Sequence, residues 1–186
     1  QIKDIESLIE RKVDLLIVAP NEAEAITPVI EKAYDAGIPV ILVDRKINSK
    51  KYTAYVGADN YEIGRKAGEY IADRLGGKGR VIEITGLRGS TPAVERHRGM
   101  MEALKAAPGV QVVASAEAGC FRQKAGEVMD TLLDAHPQVN LVFAQNDRMA
   151  IGAYEKARQK NRAGQIAFVG VDAVAGGGES VAEGKL

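Results

Sequence analysis

Apolar and polar positions along this chain fall in blocks. Seven short apolar runs read as strands: 14–20 (DLLIVAP), 39–45 (PVILVDR), 54–58 (AYVGA), 80–86 (RVIEITG), 110–116 (VQVVASA), 140–145 (NLVFAQ) and 165–172 (QIAFVGVD). Between most of them the apolar spacing becomes helical. Ala125, Val128, Met129, Leu132 and Leu133 fall at i, i+3, i+4, i+7 and i+8 within 122–136. Ile26, Val29, Ile30 and Ala33 mark 22–36, and Ile63, Ala67, Tyr70 and Ile71 mark 61–75. Ile5, Leu8 and Ile9 mark 2–12, and a further helix is expected over 91–107. Each stripe is the buried face of an amphipathic helix. Gly37, GGKG at 76–79 and Pro108-Gly109 stop the helices where the periodicity ends.

Strands of continuous Val, Ile and Leu that alternate with helices are covered on both faces. The fold class this predicts is α/β, with doubly wound parallel sheets. One break interrupts the rhythm. The stretch KINSKKYT at 46–53 is too short and too polar for a crossover helix. A lobe boundary is therefore expected near Ala58-Asp59, with 1–58 in an N-terminal lobe and 59–186 in a C-terminal lobe. Asp59 or Asn60 is expected to cap a helix starting at Tyr61.

Ligands of such folds bind beyond the carboxyl ends of the strands. Polar residues collect at those ends: Asp44-Arg45, Asp59-Asn60, the 86–91 loop, Gln145-Asn146-Asp147 and Asp172. A carboxylate can accept from two neighbouring hydroxyls, and a guanidinium donates a planar fork. Asp44, Arg45, Arg96, Asn146 and Asp172 thus form a set suited to a neutral polyol, with two acids against two arginines. Surface ion pairs at strand and helix ends would explain the same residues equally well.

Other motifs yield less. TGLRGSTPAVERH at 85–97 lacks the Gly-Lys-Ser/Thr of a phosphate loop, so Gly89-Ser90-Thr91 reads as a turn and helix cap. AGGGE at 175–179 lacks dinucleotide-fingerprint spacing and reads as a loop. His97 and His136 have no metal-ligand spacing. Ser90 with His97 lacks a nucleophile elbow. Met100-Met101 reads as core, Cys120 as a small buried hydrophobe, and RKINSKK at 45–51 as a solvated loop. Neither a catalytic residue nor a cofactor or metal is expected.

Composition narrows the classes further. Among 186 residues, 46% are hydrophobic and 27% charged, which is ordinary for a globular chain. Lys plus Arg and Asp plus Glu number 25 each, leaving no net field to gather nucleic acid or an anionic membrane. No apolar run reaches the roughly 18–20 residues of a membrane span. Cys120 is the sole cysteine, so no internal disulfide forms and both cytoplasm and periplasm stay open. The chain starts at Gln1 and reads as a processed or excised piece.

Five stretches in order, PVILVDR, VGADNYEIGRKAGEYIA, GSTPAVERHRGM, LLDAHPQVNLVFAQND and FVGVDA, resemble type I periplasmic sugar-binding proteins of the ribose-binding kind. The likeness runs from residue 2 to 186. Within that group the chain most resembles the extracytoplasmic sugar-sensing domains of hybrid two-component systems. The resemblance implies two Rossmann-like lobes, incomplete at both ends, that bind a ribose- or fructose-like monosaccharide by closing on it. Asp44 and Arg45 match the first-lobe acid and base that grip sugar hydroxyls. Arg96, Asn146 and Asp172 match second-lobe contacts, and Asp59-Asn60 match the crossover. The family places an aromatic ring where Cys120 stands, so either Phe121, one place later and taken as a contact, shifts in to stack on the sugar, or the pocket lacks that wall. Implied partners are the sugar, a membrane-anchored kinase or permease, and a second copy of the chain, in the periplasm and without nucleic acid. The first lobe is expected to keep only about two strands, and these residues alone to bind sugar weakly or not at all. The competing readings are the effector-binding core of a LacI-type repressor and a Rossmann-like sugar or nucleotide enzyme.

Overall fold

The computed structural model describes residues 1–186. Helices α1 (Ile2–Glu10) and α2 (Ala23–Asp35) accompany strands β1 (Leu16–Val18), β2 (Val40–Val43) and β3 (Ala54–Val56). These strands form one parallel sheet in the order β1-β2-β3. The remaining strands are β4 (Lys78–Thr85), β5 (Gly109–Glu117), β6 (Leu141–Ala144) and β7 (Ala167–Val169). They form a second parallel sheet in the order β5-β4-β6-β7. Its helices are α3 (Asn60–Arg74), α4 (Thr91–Leu104), α5 (Arg122–Ala135), α6 (Asp147–Gln159) and α7 (Ala175–Ala182).

All seven expected strands form, with ends within three residues of those of the apolar runs. The second sheet is buried on both faces, as its unbroken Val/Ile/Leu runs require. Ile82, Ile84, Val142 and Ala144 pack with Met129, Leu133, Met149 and Ala153. Val81, Leu141 and Phe143 face Ile71, Met100 and Leu104 on the other side.

The first sheet is covered on one face only. Leu16, Val18, Val40 and Leu42 pack on Ile26, Val29 and Ile30 of α2 and on Ile5 of α1. Ile17 and Val56, on the opposite pleat, are more than half exposed, and Val43 is exposed beside them. This sheet has three strands, one more than expected. β3 stays paired with β2 although no helix joins them. The polar loop between them anchors instead through Thr53, whose hydroxyl accepts from the Val40 N–H at 3.0 Å while its own N–H donates to the Val40 carbonyl at 2.7 Å.

Two elements depart from the expected pattern. Residues 175–179, expected as a loop, begin helix α7. Three glycines hide that helix in sequence, but one of them is required by packing. A Cβ on Gly177 would lie 1.9 Å from Asp147 Oδ2. The Asp147 carboxylate sits under the start of α7 and accepts from the Val174 N–H at 3.0 Å. Helix α6 carries a buried stripe of Met149, Ala150, Ala153 and Ala157, too alanine-rich to stand out as a hydrophobic period.

Candidate functional site

The second sheet turns about β4, which has β5 on one side and β6 on the other. Loops leaving β4 and its neighbours therefore diverge, and a crevice opens at their carboxyl ends. A cavity of about 340 Å³ lies there, within the size range of small-molecule sites. Asp44 and Arg45 reach it from β2. Gly86, Ser90, Ala93 and Arg96 reach it from the segment after β4, and Cys120 from the loop after β5. Gln145, Asn146 and Arg148 follow β6, while Asp172 and Val174 follow β7. Both sheets thus contribute, and Asp44, Arg45, Arg96, Asn146 and Asp172 share one cavity.

Several of these residues hold unusual backbone. Asp44 has φ 65°, and the Arg45 N–H donates to the Val43 carbonyl at 2.7 Å. That i to i+2 bond about a positive-φ residue is the rare, strained form of γ-turn. It ends β2 abruptly and carries the adjacent acid and base out of the sheet into the cleft. Cys120 at φ 71° and Asp172 at φ 109° are the other positive-φ residues lining the cavity. Such strain in non-glycine residues gathers at functional sites, where surrounding packing holds it.

Arg96 is the most constrained member. Its side chain is 14% exposed. Nε donates to Asn60 Oδ1 at 2.9 Å, Nη1 donates to the Gln145 carbonyl, and Nη2 stands 3.6 Å from Asp172 Oδ1. Helix α4 can present it because α3 and α4 nearly touch. A Cβ on Gly64 would lie 2.1 Å from the Arg96 carbonyl oxygen, and one on Gly99 would lie 2.1 Å from that of Tyr61. Behind Arg96 lies a fully satisfied buried amide. Gln145 Nε2 donates to Glu83 Oε1 at 2.9 Å and to the Ala93 carbonyl at 3.0 Å, and its Oε1 accepts from the Gly86 N–H at 3.0 Å. Glu83, itself buried, also accepts from Ser115 Oγ at 2.9 Å and bonds His97 Nδ1 at 2.8 Å.

Asn146 caps α6, its Oδ1 accepting from the Met149 N–H at 2.9 Å. The residue also lines the cavity, and no protein acceptor engages its Nδ2 group. Burial pushes the Asp172 carboxyl above the usual aspartate range, Arg96 pulls it down, and Asp147 and Asp44 push it up. Burial likewise raises Asp147, against backbone N–H donors from Val174 and Ala173.

The sequence reading and the geometry differ at several points. Phe121 does not line the cavity, and its side chain is 69% exposed. Gly119 at φ 58° and Cys120 at φ 71° turn the chain so that Cys120 faces inward. Cys120 is therefore half-buried cavity wall, not core. Ser90 stands at the N-cap of α4 but donates its hydroxyl to the Leu87 carbonyl at 2.7 Å. Asp59 does cap α3, accepting from the Glu62 N–H at 3.0 Å, and the helix starts at Asn60, one residue before the expected Tyr61. Arg148 was not foreseen. It adds a third arginine to two acids and makes no ion pair, so the expected charge balance does not hold along this wall. Gly86 and Gln145 stood among the strand-end positions but not among the expected contacts, and Val174 was missed altogether. Two of them matter through backbone position, which has no sequence signal, but the Gln-Asn-Asp cluster after β6 marked Gln145 as polar beyond a strand.

Comparison with known proteins follows the same lines. A family model described as "Periplasmic binding protein domain" matches residues 1–186. The ribose import binding protein RbsB of Escherichia coli (strain K12) is 37% identical over 186 residues, which is all of this chain and 62% of RbsB. Among solved structures, the fructose binding periplasmic domain of hybrid two component system BT1754 superposes with a TM-score of 0.95 at 50% identity, over 100% of this chain and 63% of that one. A Mycobacterium smegmatis protein in complex with β-D-fucofuranose gives a TM-score of 0.94 at 34% identity, over 100% of this chain and 64% of that one. The chain therefore spans somewhat less than two thirds of these relatives.

Proposed function

The chain belongs to the periplasmic binding protein family, and from that premise we propose that its parent protein binds a ribose- or fructose-like monosaccharide by lobe closure, outside the cytoplasm. The observation that carries this reading is the cavity shared by Asp44 and Arg45 from one sheet and Arg96, Asn146 and Asp172 from the other. Acids accept from paired hydroxyls, guanidinium groups and the free Asn146 amide donate, and no nucleophile and base stand together. Ser90 and His97 are each committed to other partners. Binding without chemistry is what such a set can do.

The two-lobe division at Ala58/Asp59 supplies the motion. Asp44 and Arg45 move with the first lobe, and Arg96, Asn146 and Asp172 move with the second. One sugar satisfies both sets only when the lobes are closed, so ligand shifts the open–closed equilibrium by its differential affinity. Phe121 drops out of the proposed contact set. The likeness to a hybrid two-component sensor domain at 50% identity favours a sensor role over a transport role. It also favours sugar sensing over the repressor core or a Rossmann-like enzyme. In a sensor, closure is passed to a membrane-anchored kinase; in a transporter, to a permease.

A thermal-shift panel of monosaccharides on the full-length protein tests this. A sugar present at a hundred times its Kd adds about 2.7 kcal/mol of stability, a rise of several degrees in Tm. D-Fructose and D-ribose are the first candidates. A panel in which no monosaccharide raises Tm contradicts the proposal.

A further inference from the structure

We propose that Lys46 and Glu95 form a latch that sets ligand affinity from outside the cavity, by holding the two lobes closed with or without sugar. The inference rests on the closure reading above, but the contacts themselves are independent of any ligand. Lys46 lies on the loop after β2, in the first lobe, and Glu95 lies on α4, in the second. Lys46 Nζ donates to Glu95 Oε1 at 2.9 Å, and the Lys46 N–H donates to Thr91 Oγ1 at 2.9 Å. Nearby, the Ala23 N–H donates to the Gly89 carbonyl at 3.1 Å. Three hydrogen bonds therefore pass directly from lobe to lobe. None of these five residues lines the cavity.

The acid of the pair is largely withdrawn from solvent, while the Lys46 side chain is 36% exposed. The Glu95 side chain is 18% exposed, and its Oε2 is buried without a hydrogen-bond partner. A surface carboxylate would keep both oxygens wet. Here one oxygen is buried without a partner, and the Lys46 ammonium is the cation paired with the carboxylate. Lys46 Nζ also lies 5.4 Å from the centre of the Tyr55 ring, which fixes its direction. The hydrogen bond to Glu95 holds the lysine pKa above its usual value. Opening the lobes separates Lys46 from Glu95, so the pair contributes only to the closed form. A binding protein whose competent state is partly populated before ligand arrives has an apparent Kd lowered in proportion to that population. Losing the latch therefore weakens binding through the equilibrium, with every sugar contact intact.

The test uses the full-length protein and two variants, Lys46→Met, which keeps the stem over Tyr55, and Glu95→Gln, which keeps the acceptor but not the charge. Calorimetry with D-fructose is combined with small-angle scattering with and without sugar. The latch predicts that Lys46→Met raises Kd about tenfold, the scale of one charge-assisted hydrogen bond, and Glu95→Gln by less. Lys46→Met must also increase the unliganded radius of gyration, while saturating sugar restores the wild-type closed value. Unchanged unliganded scattering in both variants overturns the latch, whatever happens to Kd. If the wild-type protein binds no monosaccharide, the sugar reading falls, and the unliganded scattering still decides the latch.

Discussion

Asp44 shows most plainly how one residue serves two ends. Its φ of 65° costs a non-glycine residue about 1 kcal/mol, yet that turn is what aims its carboxylate at the cavity. Asp44→Gly is therefore expected to leave Tm unchanged or raise it slightly, while sugar binding is lost. Thermal melts beside calorimetry check this, and a large loss of Tm would show that the carboxylate holds the turn. Asp172 yields a pH prediction with opposite signs for stability and affinity. Burial raises its folded-state pKa, so in the folded protein it takes up a proton before the unfolded chain does. Ionised Asp172 thus opposes folding at neutral pH, and this opposition fades as pH falls through the raised pKa. Protonation meanwhile removes an acceptor for sugar hydroxyls. Affinity should start to fall at a pH above the ordinary aspartate value of about 3.9, before the fold is lost. Calorimetric titrations across pH 4–7 read this, and Asp172→Asn should flatten the dependence. Asp44, Arg45, Asn146 and Asp172 were legible at this scale because each is polar and follows the end of an apolar run, whereas Arg96 lies inside α4. Arg148 was not, because a lone arginine in the first turn of a helix looks like any surface residue. Phe121 misled for a backbone reason: two successive left-handed residues before it reverse which side chain faces in.

Helices α3 and α4 set where Arg96 stands, and glycine sets how closely they approach. Gly64→Ala places a Cβ against the Arg96 carbonyl and forces the helices apart. A loss of about 1–3 kcal/mol is expected, the usual range for overpacking, together with weakened sugar binding. Denaturant melts and calorimetry test both, and a variant with unaltered stability would mean that the helices separate freely. The first sheet carries a different liability. Ile17, Val43 and Val56 form an uncovered apolar row on a short parallel sheet, and such a face promotes association. The 186-residue chain alone is expected to self-associate in light scattering, and Ile17→Lys to reduce this. A monodisperse wild-type chain would contradict that expectation. Strands of the second sheet were readable because burial on both faces leaves unbroken Val/Ile/Leu runs; those of the first sheet carry similar runs although one of its faces is uncovered. Helices α6 and α7 were obscured because close packing over Arg122 and Asp147 selects alanine and glycine, which carry little hydrophobic signal.

Across the whole molecule, two sheets joined by a crossover meet at one cavity. The crossover is wired to both sides. Tyr55 Oη stands 3.1 Å from the Asp44 carbonyl and 3.3 Å from that of Ala58, sharing one proton between them. Asn60 Nδ2 donates to the same Ala58 carbonyl at 3.4 Å, and Asn60 Oδ1 accepts from Arg96. Asp44 and Arg96 are each linked to the Ala58 carbonyl through two hydrogen bonds. Fold class was legible from the alternation of strand and helix. Direct contacts between the segments flanking the two sheets were not, since pairs such as Lys46 and Glu95 join residues with no pattern linking them along the chain.

The most direct measurement is calorimetric titration of a monosaccharide into the full-length protein, wild type beside Asp44→Ala from one lobe and Arg96→Ala from the other. Each variant is expected to stay folded and to lose at least about a hundredfold in affinity, on the scale of removing a charged hydrogen-bond partner. Full affinity in either variant would mean that the sugar is not held between the lobes by these groups.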